Sequence, residues 1–405
     1  MKFLKYLILL LIIIPVNIKA DTFEINSSHA ILYNMNENEV IFEKNADERT
    51  YIASLTKIMT SIVAIENIDD VDQKVTIPYQ ALEGLIEANA SVAGFKLNQT
   101  VTYRDLLYGS LLPSGADATR ALAYYIIGSE EEFVNLMNEK AEELGLTNTH
   151  FANTSGLDTN NHYSTVREMS IILKYALQNP LFKEIYTSNT YTTSDGSLTF
   201  KSVFSNYLNR FNLQNKYIYG SKTGYTTLAG YCLSSIANYD GVEYMLITTN
   251  ADGESDRPLH IIDAFTIYDY YTSNYRYLTI VDSDDTIVTL DTVNSKQKQL
   301  EIKANQTISK YLKTTINKED FKFQYNGLEE ISYFTKKGEI GTVDILLNDE
   351  IIDTISVVYE GGLSFSIISF FTDNILIILL VTIVLISLVR FKNKMKKKKL
   401  RQKRS

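Results

Sequence analysis

The chain has 405 residues and a formal net charge of −9, from 48 acidic and 39 basic side chains. A single cysteine, Cys232, excludes an internal disulfide. None of the four histidines (His29, His150, His162, His260) stands in a metal-ligand spacing, so neither a metal nor another cofactor is expected. Ten basic residues fall in the last sixteen positions and three in the first twenty; the rest sets 26 basic against 48 acidic residues, a balance that excludes a nucleic-acid-binding body.

Residues 1–20 read as a secretory signal, with Lys2 and Lys5 before an apolar run broken only by Pro15. Ala20 is the expected cleavage residue, although Ile18 stands where a small residue is preferred. Strand-like runs follow at 30–32 and 40–42, and helical periodicity at 54–66. Ser54-Leu55-Thr56-Lys57 opens that helix, ahead of Ile58, Met59, Ile62, Val63 and Ile65. Two side chains three apart on a helix share a face. A serine hydroxyl needs a base to become a nucleophile, and a lysine can be that base once burial or a nearby cation lowers its pKa. A buried helix has no packing reason to carry a lysine in its first turn. The same Ser-x-x-Lys spacing at Ser295–Lys298 lies among Asn294, Lys296, Gln297 and Gln299 and reads as a solvated polar run.

Helices are expected at 103–108, 116–127, 130–144, 165–177 and 260–271, and strands at 231–237 and 244–248. Ser114-Gly115-Ala116 precedes the second of these helices. Lys222-Thr223-Gly224 lies between strand-like runs at 216–219 and 230–236. Taken alone, that tripeptide is compatible with a hairpin carrying a surface lysine. As a strand edge it could pair with an extended peptide, with Gly224 allowing close backbone approach. Beyond 275 the helical pattern gives way to alternation at 277–281, 287–290, 300–302, 321–325, 342–347 and 351–358, with a hairpin turn at Asn348-Asp349-Glu350.

Residues 367–389 are almost wholly apolar, interrupted by Asp373 and Asn374, and residues 390–405 carry ten basic residues and no acid. A surface-lying amphipathic helix is disfavoured because residues 376–385 have no polar face, Thr382 being the one exception. Positive tails stay on the cytoplasmic side. The expected topology is one C-terminal transmembrane helix in the cytoplasmic membrane, a cytoplasmic tail and an extracytoplasmic body.

The three strings, in this order, together with Tyr103-Arg104-Asp105-Leu106-Leu107-Tyr108, Thr149-His150-Phe151-Ala152-Asn153, Ser155-Gly156-Leu157, His162-Tyr163-Ser164-Thr165 and Lys222-Thr223-Gly224-Tyr225-Thr226, resemble the low-molecular-mass D-alanyl-D-alanine carboxypeptidases, penicillin-binding serine peptidases that trim peptidoglycan stem peptides. The resemblance spans roughly residues 21–275. It implies an α/β sandwich of the serine β-lactamase and penicillin-binding-protein type with an all-helical lobe, followed by a small all-β domain at 276–362. It also implies Ser54 as nucleophile, Lys57 as base and Ser114 as proton relay. Lys222 and Thr223 would hold the substrate carboxylate, and the backbone N–H groups of Ser54 and Tyr225 would form the oxyanion hole. Gly224 and Tyr225 would line the substrate, and Arg257 would support the carboxylate site. Stem peptides are the implied substrates and β-lactams the implied covalent inhibitors.

The sequence departs from the family pattern at Ala116, where asparagine is usual. Loss of one such polar contact costs about 1.5–3 kcal/mol, roughly ten- to a hundredfold in rate. A DD-endopeptidase uses the same bond chemistry and stays open as an alternative. A weakly active penicillin-binding wall sensor stays open as well, but the intact lysines argue against it. No Glu-x-x-x-Asn string supports a β-lactamase. His162, in a turn-rich stretch, reads as a packed loop histidine and not as a catalyst.

Overall fold

The computed structural model describes residues 23–402; the expected signal segment, residues 1–20, lies outside the described residues. Contacts divide the chain after Thr272 into two compact units.

In the first unit, both ends of the chain segment contribute to one sheet. Its order is Glu39–Lys44, His29–Asn34, Val242–Ala251, Gly230–Tyr239 and Ile218–Thr226, antiparallel throughout. The strands expected at 30–32, 40–42, 231–237 and 244–248 lie inside these longer ones. Between the sheet's two halves of sequence lies a helical insertion: Thr56–Glu66, Tyr103–Leu111, Ala116–Ile127, Glu130–Glu143, Val166–Ala176, Pro180–Thr187 and Val203–Phe211. Leu259–Asn274 follows the last strand. The last two helices of the insertion are short and lie outside the elements expected from the sequence, although Leu181, Phe182, Ile185 and Tyr186 in one and Val203, Phe204, Tyr207, Leu208 and Phe211 in the other fall at helical spacing. Pro180–Thr187 is specified by its start, where the Asn179 side chain accepts from the N–H groups of Leu181 and Phe182 behind a proline at the first helical position.

The Thr56–Glu66 helix runs through the core. Every residue from Thr56 to Ala64 is buried, and Ile58, Met59, Ile62 and Val63 pack with Leu106, Phe133, Met137 and Ile172. Buried carboxylates tie loops to this core. Asp263 accepts hydrogen bonds from the backbone N–H and side chain of both Asn26 and Ser27, fixing the start of the described chain to the last helix of the unit. Asp117 accepts from the N–H groups of Ala93, Gly94 and Phe95, holding residues 93–95 against the Ala116–Ile127 helix.

The second unit is built from short sheets, antiparallel but for one pair of strands. Tyr275–Val281 pairs with Ile308–Lys313; Thr286–Val293 pairs with Gln299–Lys303 and, in parallel, with Glu330–Ser332; Gly338–Leu347 lies between Phe321–Gly327 and Glu350–Tyr359. Asn348 and Asp349 both have positive φ (52° and 66°), the geometry of a two-residue hairpin turn, at the predicted position. The strand Ile308–Lys313 escaped the sequence reading. Its Ser309, Lys310 and Lys313 mask the alternation, while Ile308 is buried beside Ile280 and Phe321.

The C-terminal apolar segment is not one helix. Ile367–Asp373 ends at Asn374, and a second helix runs Ile375–Gln402. Among the described residues, its stretch Ile375–Lys397 alone is long and apolar enough to cross a membrane, at about 34 Å for its 23 residues.

Candidate active site

Ser54 lies just before the α-helix that the sequence pattern starts at residue 54, two residues ahead of its first residue, Thr56. It belongs to a short 3-10 turn, Ala53–Leu55, that leads into the Thr56–Glu66 helix. Ala53 takes a left-handed conformation (φ 45°), which turns the chain sharply at the nucleophile and leaves Ser54 only partly buried. The three-residue spacing still brings the side chains together: Lys57 Nζ lies 3.0 Å from Ser54 Oγ. Lys57 Nζ also donates to the Ser155 carbonyl at 2.6 Å. Burial pushes the Lys57 ammonium down to about 7, against the opposing pull of Asp117 and Glu130. A neutral amine here can donate to Ser155 O and turn its lone pair to the Ser54 hydroxyl.

Lys222 and Ser114 form a second pair. Lys222 Nζ donates to Ser114 Oγ at 2.9 Å and to the carbonyl of Thr223 at 2.7 Å. Burial, reinforced by the Lys57 charge, holds the Lys222 ammonium well below its ordinary range. Ser114 has positive φ (65°) in the tight turn before the Ala116–Ile127 helix, so its hydroxyl points back at the strand lysine.

Lys222, Thr223, Gly224 and Tyr225 lie within the strand Ile218–Thr226, paired on one side with Gly230–Tyr239 and at the sheet's edge on the other. Gly224 has a reason the sequence did not show. A Cβ there would stand 2.9 Å from the Ser54 backbone nitrogen and 3.1 Å from Ala53 Cβ, so glycine lets the strand itself close against the nucleophile turn. Gly156 does the same from the other side. It has φ 85°, and a Cβ would come within 1.9 Å of the Ala53 carbonyl oxygen.

A cleft of about 630 Å³ opens over these groups. Ser54, Lys57, Ala116, Arg120, Ser155 and Tyr225 are among its lining residues. Lys222, Ser114 and Thr223 are buried behind this lining. Arg257 is placed differently. It is exposed in the loop before Leu259–Asn274 and does not line the cleft.

Four contributors escaped the sequence reading as functional residues. Asn153 Oδ1 accepts from the N–H groups of Ser155, Gly156 and Leu157, shaping the loop that presents Ser155 O to Lys57. An asparagine followed two residues later by Ser-Gly is the signal of such a turn. Asp158 bonds Thr226 Oγ1 at 2.6 Å and the Leu228 N–H at 3.1 Å, tying this loop to the hairpin. Arg120 is one helical turn after Ala116, on the same face, and pairs with Glu130 at 3.0 Å. Ser91 O accepts from the Ala116 N–H, so the departing residue is held by its backbone although it has no polar side chain.

His162 is buried behind the nucleophile turn. Its Nδ1 accepts from the Ala152 N–H, so Nε2 carries the proton toward Thr56 Oγ1 at 2.6 Å, and Thr56 donates on to the Ala53 carbonyl. Burial pushes its pKa down to about 4, with His150 and Lys57 adding to the effect. It is a neutral structural group supporting the strained Ala53. Cys232 is likewise buried, its thiol pushed up to about 12 by burial. Among the described residues, no group of three or more His, Cys, Asp or Glu could hold a metal ion.

The chain is similar to known proteins. The family model "D-alanyl-D-alanine carboxypeptidase" matches residues 16–253. The chain is 30% identical over 325 residues to D-alanyl-D-alanine carboxypeptidase DacF of Bacillus subtilis, covering 80% of this chain and 82% of that one. It is 29% identical over 231 residues to a D-alanyl-D-alanine endopeptidase of Escherichia coli, covering 57% and 73%. Penicillin binding protein 5 from Haemophilus influenzae superposes with a TM-score of 0.60 at 25% identity, covering 85% of this chain and 99% of that one. With more than half of its length matched by the family model, and with the fold to go with it, this chain belongs to the D-alanyl-D-alanine carboxypeptidase family of serine peptidases.

Proposed function

We propose that the protein is a serine-type D-Ala-D-Ala carboxypeptidase that removes the terminal D-alanine from peptidoglycan stem peptides through an acyl-enzyme on Ser54. The observation that carries this reading is the 3.0 Å contact between Ser54 Oγ and a lysine whose pKa burial has lowered to about 7, at the floor of an open cleft. Lys57 takes the Ser54 proton as the oxygen attacks the penultimate D-alanine carbonyl. The backbone N–H groups of Ser54 and Tyr225 receive the developing oxyanion. The proton passes through Ser114 and Lys222 to the departing amine, the C–N bond breaks, and free D-alanine leaves. Water then hydrolyses the ester and regenerates Ser54.

The substrate peptide adds to the open edge at Lys222–Tyr225, and its carboxylate arrives at the Lys222–Thr223 end. That anion restores the charge of Lys222, which burial and Lys57 hold low in the empty site. β-Lactams acylate Ser54 by the same attack. The body is extracytoplasmic, Ile375–Lys397 crosses the cytoplasmic membrane once, and the basic tail lies inside; the apolar helix and its flanking lysines support this.

Release of D-alanine from a D-Ala-D-Ala peptide by the purified protein tests the activity. Ser54→Ala should abolish it. A variant that still released D-alanine would remove Ser54 from the mechanism, and cleavage confined to cross-linked dimers would favour the endopeptidase reading.

A further inference from the structure

The second unit carries a row of aromatic rings, all exposed but the half-buried Phe370, that no part of the peptidase chemistry uses. Tyr333 and Phe334, in the loop after Glu330–Ser332, both touch Phe365, with ring centroids 5.4 and 5.9 Å apart. Phe365 touches Phe370 at 6.0 Å, and Phe370 touches Phe371 at 5.8 Å. Phe334 is 61% exposed and Phe371 56%, and Ile367 and Ile368 on the same short helix are more exposed still. A contiguous apolar surface of this kind on a folded unit marks an interaction site.

What surrounds the rings identifies the occupant. The row of rings leads, four residues after Phe371, into the apolar stretch Ile375–Lys397. The junction is not a loose tether. Asp373 accepts from the Asn294 N–H at 2.9 Å, Asn374 Nδ2 donates to Asn294 Oδ1 at 2.8 Å, and Ser369 Oγ donates to the Ser295 carbonyl at 2.9 Å. These bonds fix the start of the crossing helix to the same β unit that presents the rings. They also account for the Asp-Asn interruption of the apolar segment. Aromatic side chains favour the level of the lipid headgroups, and exposed Lys336 and Lys337 follow Phe334 in the same loop, where lipid phosphates would meet them.

We propose that this surface (Tyr333, Phe334, Phe365, Ile368 and Phe371) is seated in the interfacial layer of the bilayer, so that the β unit stands on the membrane as a fixed foot. The proposal rests on the reading of Ile375–Lys397 as a membrane-crossing helix.

The chain contains no tryptophan, so a single introduced one reports without background. The full-length protein would be reconstituted in phosphatidylcholine vesicles containing lipid brominated near the top of the acyl chain, as three variants checked for penicillin labelling. Phe334→Trp tests the foot, Leu380→Trp tests the crossing helix, and Phe323→Trp, similarly exposed but outside the ring contacts, sets the background. The proposal expects Phe334→Trp and Leu380→Trp to be quenched roughly twofold or more relative to Phe323→Trp. Quenching of Leu380→Trp without Phe334→Trp would overturn the foot and leave the crossing helix standing. No quenching at Leu380 or Phe334 would remove both. A blue-shifted Phe334→Trp that brominated lipid leaves unquenched would assign the rings to a protein partner and likewise overturn the proposal.

Discussion

At the scale of single residues, the account depends on the protonation of Lys57. A base with a pKa lowered to about 7 works only when neutral, so acylation should rise with pH through a midpoint near 7 and fall below it. His162 does not provide that limb, because burial keeps its pKa near 4. Stopped-flow acylation by a chromogenic cephalosporin would measure the profile. Lys57→Arg should lose the limb along with nearly all acylation, since a guanidinium cannot give up its proton at ordinary pH. Ala116 makes a separate prediction. Ala116→Asn should raise D-alanine release from a D-Ala-D-Ala peptide by roughly ten- to a hundredfold, while changing penicillin labelling less, because a strained β-lactam amide needs less orientation. An unchanged peptide rate would assign the orienting role to another cleft group, with Arg120 the nearest candidate on the same helix face.

At the scale of elements, the turn carrying Ser54 is held from both sides by glycines. Gly156→Ala places a Cβ within 1.9 Å of the Ala53 carbonyl and forces a φ that alanine disfavours. It should cost roughly 2–4 kcal/mol of stability and most of the acylation rate. Thermal unfolding and penicillin labelling of the same sample would check the two effects together. This element also shows where sequence reading stops. The Ser54–Lys57 pair and the helix behind it could be read from three-residue spacing and the apolar run of Ile58, Met59 and Ile62. The 3-10 turn could not, because Ala53 has no turn propensity and its left-handed φ is held by Gly156, about a hundred residues on, and by the neighbouring Thr56, which His162 in turn bonds. For the same reason Lys222 could be recognised as a site residue, but not as a partner of Ser114 buried behind the cleft lining. That pairing depends on the register of the Ile218–Thr226 strand and on the positive φ of Ser114. The helix Val203–Phe211 lies outside the sequence expectations because its nine residues are fewer than the window over which periodicity is judged, although Val203, Phe204, Tyr207, Leu208 and Phe211 keep helical spacing; of its residues only Phe204 is buried.

At the scale of the whole molecule, the chain combines an acidic peptidase unit, a β unit without catalytic residues and an apolar helix ending in lysines. Removing residues 367–405 should give a soluble protein that still labels with penicillin, recovered from the medium and not from membranes after secretion. Retention on the membrane with residues 1–20 still attached would point to an uncleaved N-terminal segment; retention after their removal would point to the rings of Tyr333, Phe334 and Phe365. The catalytic expectations depend on one chemical event, covalent capture at Ser54. The most direct measurement is peptide mass spectrometry of the full-length protein after brief exposure to penicillin. The account predicts a single penicilloyl adduct on the peptide containing Ser54, absent from Ser54→Ala. An adduct elsewhere, or one that persists in Ser54→Ala, would contradict it.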